Sequence, residues 1–407
     1  MTRADIVIVG SGHGGARAAL ALREQGFSGS ILMVSRDSDP PYRRPPLSKD
    51  YLAGTTPFEE ILIRPPEFWA EAGIALRLGT TVTRIDPVAR TLSVARGDPI
   101  GYSTVIWAAG GDPRRLSCPG AHLPGIHTLR TRADADRLRE EAARGGRRVV
   151  VIGGDHPGLE TAAVLAQAGC AVALLEPAKR VLSHVAGADL SRFLEAEHRA
   201  HGVDLRCGAT LAAIEGDARV SGVRLDSGET IACDVVVAAI GIVPAVGPLI
   251  AAGAAGADGV DVDELCRTSL PDLYAIGDCA AHASPYADHS VIRLESVQNA
   301  HDMAEAVART ICGDPQPYTA LPRFWSDQYD LRLESAGLTL GHDTTALRGS
   351  PQDRSFSLFS LKAGRVVAID CVNAPEDLAA GCRLIEAGTV CDPAALADPA
   401  TPLGTLA

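Results

Sequence analysis

The feature that most constrains this chain is a pattern that occurs twice. DIVIVGSGHGGARAALALREQG, from Asp5, and RVVVIGGDHPGLETAAVLAQAG, from Arg148, each read as an apolar strand, a glycine turn and a helix. A second apolar run follows each of them, SILMVS and AVALLE. This is the opening β-α-β unit of a dinucleotide-binding fold, so the expected class is α/β with two Rossmann-like domains. Apolar residues recur at helical spacing in both helices, and Gly26 and Gly169 stand where each should stop.

Between and after these units the chain reads as short strands. RVSGVRLDSGETIACDVVVAAIG places a DSG turn between two strand-like runs and ends in a buried apolar strand. TRIDPVARTLSVARGDPIGYSTVIWAAGG has the same character. From about Phe324 the pattern changes to alternating segments such as SFSLFSLKAGRVVAIDCV, then a helix near Glu376–Ala387. That predicts a separate α+β C-terminal domain.

In the first turn, GSGHGG, the residues Gly10, Gly12 and Gly15 fill all three glycine places of G-x-G-x-x-G. The first allows a tight turn, the second lets backbone approach a pyrophosphate, and the third brings helix and strand together. The helix that follows offers free N–H groups and a partial positive charge to the phosphates. Asp37, after the second strand, is the acid expected at an adenosine ribose. Further on, TSLPDLYAIGDCA sets Asp278 behind an apolar strand, with Gly277 permitting close approach. An acid there can hydrogen-bond a ribityl chain. Taken alone, the plainer reading is a strand-end turn.

Composition removes several functions. The net charge of −12 argues against nucleic-acid binding, which needs phosphate neutralisation. No apolar run approaches the ~18 residues of a membrane span and no signal peptide opens the chain, so a cytoplasmic location is expected. The ten cysteines form no CxxC pair and no cluster at metal spacing, as for buried thiols in a reducing compartment. Nothing in the sequence sets the oligomeric state.

Three segments, PPYRRPPLSKDYL, RLESVQNAHDMAEA and RFWSDQYDLRLESAGL, resemble the FAD-dependent ferredoxin reductases of oxygenase systems. The resemblance runs in order over nearly the whole chain. It implies a glutathione-reductase-like architecture, with a discontinuous FAD domain at 1–112 and 242–322. An NAD domain at 113–241 and a C-terminal α+β domain at 323–407 complete it. It implies noncovalent FAD, with Gly14 at the pyrophosphate, Lys49 beside the flavin and Val82 on the adenine side. Arg130 and Arg44 would hold the cofactor, Asp278 the ribityl chain, and Val297 the flavin ring. Trp325 would stand at the isoalloxazine edge, and Ala109 and Gly277 complete the set. Ser35-Arg36-Asp37 replaces the Gly-Asp-Glu often found at the ribose, so Arg36 and Asp37 take that place.

The cysteines narrow the acceptor. Flavoprotein disulfide reductases need thiols near the flavin, yet the first cysteine here is Cys118 and the flavin-proximal segment reads Arg44-Pro45-Pro46-Leu47. A one-electron iron–sulfur protein fits, because a flavin takes electrons as a pair and releases them singly. The expected partner is a [2Fe–2S] ferredoxin. Arg64 and Arg309 match family positions for partner contact, although any single arginine is as readily an ordinary surface residue.

The second turn is irregular. In GGDHPG, Gly153, Gly154 and Gly158 are kept, but Asp155 stands where the pattern wants the middle, pyrophosphate-facing glycine. A carboxylate there would repel phosphate by up to about 4 kcal/mol at 4 Å in an effective dielectric near 20. The alternative is structural: Asp155 caps the helix, Pro157 takes its first position, and the carboxylate fills a phosphate oxygen's place. Glu160 matches the acid that pairs with Lys49 where hydride passes to the flavin. Glu176 is placed for the adenosine 2′-hydroxyl, favouring NADH over NADPH, and Gly241 lies in a strand-end turn near that cofactor. The reading is an NADH-dependent ferredoxin reductase with Lys49, Glu160 and Trp325 at the reaction. Two alternatives stay open: a flavoprotein with a degenerate NAD site and another donor, or a non-enzymatic flavoprotein scaffold.

Overall fold

The computed structural model of the protein describes residues 2–144 and 146–406. The chain divides into two compact units, one made of 1–44, 58–112 and 243–322, the other of 45–57, 113–242 and 323–407.

The first unit is built on a sheet in which the strands Ile74–Arg77, Ile31–Val34, Thr2–Val9 and Ile100–Trp107 lie side by side in that order. The first three run parallel, as the helical crossover His13–Glu24 requires. Leu273–Ala275 returns much later in the chain to pair parallel with Ile100–Trp107. The helix His13–Glu24 buries its small face, Gly14, Gly15, Ala16, Ala18, Ala19 and Ala21. Small residues let it lie close to the sheet and to the helix Val297–Ile311. The chain leaves it through Gly26 at φ 80°, whose N–H bonds to Arg23 O while Phe27 N–H bonds to Leu22 O. The second repeat ends in the same way at Gly169, φ 82°, with Gly169 N–H to Ala166 O and Cys170 N–H to Leu165 O.

The second unit repeats the plan and adds to it. Its parallel sheet orders Asp204–Cys207, Ala171–Glu176, Arg148–Ile152, Val235–Ala238 and Ile126–His127. The DSG turn closes an antiparallel pair, Gly222–Leu225 with Thr230–Ala232. The C-terminal part is a five-stranded antiparallel sheet ordered Arg323–Gln328, Leu331–Gly337, Arg365–Val372, Ser355–Lys362 and Thr344–Ser350. The helix Pro375–Ala387 crosses it at Gly381, where an added Cβ would come within 2.6 Å of Ile369 Cδ1. One apolar cluster joins the two sheets of this unit, with Leu331, Leu333, Phe356, Leu358 and Val372 packed among Val149, Leu174 and Leu190. The segment Pro45–Pro57 belongs to this unit for physical reasons. Leu52 enters the same cluster, and the Tyr51 hydroxyl donates to Asp136 Oδ1 at 2.7 Å.

Candidate functional site

The two glycine turns have one geometry. Gly10 has φ 113° and Gly153 has φ 109°, and an added Cβ would lie 2.2 Å from Ala108 O in one turn and 2.2 Å from Ala239 O in the other. At the third glycine the equivalents are Gly15, 1.9 Å from Gly10 O, and Gly158, 2.0 Å from Gly153 O. These four glycines are demanded by the protein's own backbone. The middle position is different. A Cβ on Gly12 would meet nothing nearer than Arg44 Nε at 3.6 Å, so nothing in the fold requires glycine there. Its smallness serves whatever lies over the turn.

Arg44 stands close to that place, held by Asp37 at 3.5 Å and by a hydrogen bond to the Tyr42 hydroxyl at 3.2 Å. Asp37 in turn accepts from Tyr42 at 2.8 Å. Arg36 points elsewhere, into an ion pair with Asp112. Gly14 faces Ile276 and Ala300, where an added Cβ would lie at ordinary contact distances of 3.4–3.6 Å, so the packing against the Val297 helix does not demand glycine there. Ala109 adjoins the first turn, its N 3.0 Å from a Cβ built on Gly10. Gly277, at φ 72°, donates its N–H to Met303 Sδ at 3.4 Å and begins the short 3-10 turn that carries Asp278. Val82 is buried at the start of its strand, Val297 begins its helix, and Arg64 and Arg309 are exposed. The first unit thus provides a turn with an open middle glycine, a helix N-terminus and a guanidinium, a set that fits a dinucleotide pyrophosphate.

In the second unit the middle position carries Asp155, and the capping expectation is corrected. Asp155 is the N-cap residue of the helix His156–Gln167, yet its side chain makes no cap hydrogen bond. Oδ1 instead lies 3.4 Å from His184 Nε2. Pro157 sits at the second helical position, after His156. The acid that reaches into the turn is Glu176, which accepts from the Gly154 N–H at 2.6 Å and from the Ala178 N–H at 2.7 Å. Gly154 is small for that reason, since a Cβ there would be 2.9 Å from Glu176 Oε2. Gly241, φ 84°, accepts from the Arg114 N–H at 2.9 Å, and the Arg130 N–H donates to Asp134 Oδ2 at 3.2 Å.

The same helix builds the most unusual polar group of the unit. His156 and Glu160 are one turn apart, so they share a face. That face meets the strand Arg323–Gln328, whose even residues share one side. Phe324 lies 4.3 Å from the His156 ring, and Ser326 donates to Glu160 Oε1 at 2.6 Å. The Lys49 Nζ reaches the same oxygen at 2.8 Å, and Ser48 donates to Oε2 at 2.5 Å. Both charged side chains are nearly dry, 12% and 5% exposed. Burial raises the Glu160 carboxyl above its ordinary value, against the opposing pull of the Lys49 ammonium and the two serine hydroxyls. Burial holds the His156 imidazole near 3, with Lys49 adding to the effect, so the ring is neutral. Removing one partner of a pair this dry strands the other charge, at a cost of about 3–5 kcal/mol. Trp325, on the opposite side of the strand, has the Arg332 guanidinium 5.9 Å over its ring.

The sequence reading brings Lys49 and Glu160 together, and so does the structure. It passes over Ser48, Ser326, Gln328, His198 and His184. The available signal was the strand FWSDQ, where Ser326 and Gln328 alternate in step with the half-buried Phe324. Polar residues at inward positions of a strand need partners. Among the described residues no group of His, Cys, Asp and Glu could hold a metal ion, and no helix is long and apolar enough to cross a membrane.

Comparison with known proteins gives one consistent picture. Residues 4–304 match the model of the pyridine nucleotide-disulphide oxidoreductases, and residues 323–407 that of the reductase C-terminal domain. The chain is 50% identical over 408 residues to the 5,5'-dehydrodivanillate O-demethylase ferredoxin reductase subunit of Sphingobium sp., covering 100% of this chain and 99% of the relative. It is 36% identical to putidaredoxin reductase of Pseudomonas putida, over 98% and 96% of the two chains. Among solved structures, the ferredoxin reductase for the CYP199A2 system of Rhodopseudomonas palustris matches with a TM-score of 0.95 at 37% identity, over 99% and 100% of the chains. The reductase in the covalent putidaredoxin reductase–putidaredoxin complex also scores 0.95, at 35% identity, over 100% and 98%.

Proposed function

The chain belongs to the pyridine nucleotide-disulphide oxidoreductase family, as one of the ferredoxin reductases of oxygenase systems, and from that premise we propose how it works. It is an NADH-dependent reductase that binds FAD noncovalently and delivers electrons to a [2Fe–2S] ferredoxin serving an oxygenase. The observation that carries this reading is the dry Lys49–Glu160 pair braced by Ser48 and Ser326. A buried ion pair is weak evidence for stability, so its persistence points to chemistry.

Residues 1–112 and 242–322 are assigned to FAD, 113–241 to the nicotinamide nucleotide and 323–407 to the C-terminal domain. The turn Gly10–Gly15 and Arg44 serve the FAD pyrophosphate. Asp37 serves the adenosine end with Val82, a role Arg36 could share only by leaving its ion pair with Asp112. Ala109, Arg130, Gly277, Asp278 and Val297 serve the remainder of the cofactor. When bound, FAD supplies a centre that accepts a pair of electrons and passes them on singly. Lys49, held in place by Glu160, offers a fixed donor in a dry setting, where such a donor acts more strongly than in water. Trp325 supplies an aromatic wall. On the nucleotide side, the carboxylate of Glu176 disfavours a 2′-phosphate and so selects NADH. Exposed Arg64 and Arg309 provide positive charge for an acidic ferredoxin on a chain of net charge −12.

Asp155 favours a second reading, in which FAD is kept but the donor is not a nicotinamide nucleotide. The two are separated by mixing the holoprotein with NADH and an oxidised [2Fe–2S] ferredoxin of an oxygenase system and following bleaching of the ferredoxin. Reduction that depends on NADH supports the reductase. Absence of reduction, with the flavin reducible by dithionite, supports the second reading.

A further inference from the structure

The hydrogen bonds at Glu160 continue away from Lys49 through the interior of the second unit. Gln328 Nε2 donates to Ser326 Oγ at 3.1 Å. Gln328 Oε1 lies 2.9 Å from His198 Nε2, and the Tyr329 hydroxyl lies 3.1 Å from His198 Nδ1. Ser326, Gln328 and His198 are all buried, and the last is fully so. The run ends where the exposed His201 ring stacks on Tyr329, with centroids 3.7 Å apart and planes 13° from parallel.

The direction of every donor in this run is determined. Ser326 Oγ lies 2.6 Å from Glu160 Oε1, the oxygen that already takes the Lys49 Nζ at 2.8 Å, so that oxygen is an acceptor and the Ser326 proton points at it. Ser326 is then free to accept, which fixes the Gln328 amide with its NH2 toward Ser326 and its oxygen toward His198. The opposite amide orientation would draw the Ser326 proton away and leave two acceptors facing each other. An oxygen facing Nε2 requires that nitrogen to carry the hydrogen, so Nδ1 accepts from Tyr329. Burial lowers His198 to about 4, so the ring is neutral and has a single tautomer to choose. All four donors, Tyr329, His198, Gln328 and Ser326, point toward Glu160.

We propose that His198 and Gln328 are positioning residues of the reaction, which, locked by Tyr329, aim the Ser326 hydroxyl at Glu160 and so hold the carboxylate where it orients Lys49. The proposal rests on the function assigned above to the Lys49–Glu160 pair. Neither residue touches Lys49, and each acts through its neighbour. The group is polar in a core where apolar residues would serve stability as well, and a fully satisfied network of this kind specifies one arrangement.

Two measurements on the FAD-loaded protein test it. Ring-15N NMR, with the His198 signals identified by their loss in His198→Gln, reads the tautomer directly. The expected result is a single Nε2–H form in the native protein and a mixture in Tyr329→Phe. An Nδ1–H form in the native protein, or no change in Tyr329→Phe, overturns the proposal. Rapid mixing with NADH then reads the consequence. In Gln328→Leu the rate of flavin bleaching at saturating NADH should fall by about 10- to 100-fold, the scale of a misplaced catalytic group, while the NADH concentration for half-maximal rate stays within about twofold. An unchanged rate, or a change confined to that concentration, overturns it. A native protein that NADH does not bleach overturns the function above, while the tautomer still decides the hydrogen-bond order by itself.

Discussion

At the scale of single residues, two equivalent positions are filled in opposite ways. Gly12 and Asp155 occupy the middle of equivalent turns, and at Gly12 the fold leaves room for a side chain, with Arg44 Nε the nearest atom at 3.6 Å. Replacing Gly12 by Asp should therefore leave the fold intact and weaken FAD retention, measured as flavin lost on gel filtration at equal melting temperature. A large loss of melting temperature with retained flavin would contradict the account. The converse change, Asp155→Gly, should tighten apparent NADH binding by about tenfold or more, since a like charge near pyrophosphate costs up to about 4 kcal/mol before its pairing with His184 is counted. Unchanged binding would mean that the carboxylate stays clear of the nucleotide. The glycine places were legible in the sequence because backbone geometry leaves so few alternatives. The direction of the Asp155 side chain was not, because it depends on His184, which a distant loop brings near. Capping propensity alone pointed the wrong way, as tertiary partners outcompete a local cap.

At the scale of elements, the repeated strand–turn–helix units, their glycine stops and the C-terminal helix were legible from periodicity and turn chemistry. The strand Arg323–Gln328 was legible as a family segment but not as a wall of the site. Its role emerges from register: Phe324, Ser326 and Gln328 face His156, Glu160 and His198 in succession. Side-chain alternation is local, whereas the helix face it meets comes from elsewhere in the chain. The C-terminal sheet carries a testable cost of its own. Asp370, fully buried in the strand Arg365–Val372, accepts from Ser335 at 2.6 Å, and burial raises its carboxyl to about 6. A raised carboxylate favours the fold fully below its unfolded value near 3.9 and loses that contribution as pH rises through about 6. Asp370→Asn should therefore raise the melting temperature at pH 8, by the equivalent of about 2–3 kcal/mol, and leave it nearly unchanged near pH 4. A larger gain at pH 4 than at pH 8 would refute the assignment.

At the scale of the molecule, two α/β units carry the two nucleotide turns, and the segment Pro45–Pro57, early in the chain, packs with the later unit. That placement puts Lys49 on Glu160, a pairing the resemblance implies and no periodicity could show. The central claim, an NADH-reducible flavoprotein, is tested most directly by anaerobic titration of the FAD-loaded protein with NADH, NADPH and dithionite in parallel, following the visible flavin band. The account predicts rapid bleaching by NADH, slower or weaker bleaching by NADPH, and a lower NADH requirement in Asp155→Gly. Bleaching by dithionite alone, in the native protein and in Asp155→Gly alike, would contradict it.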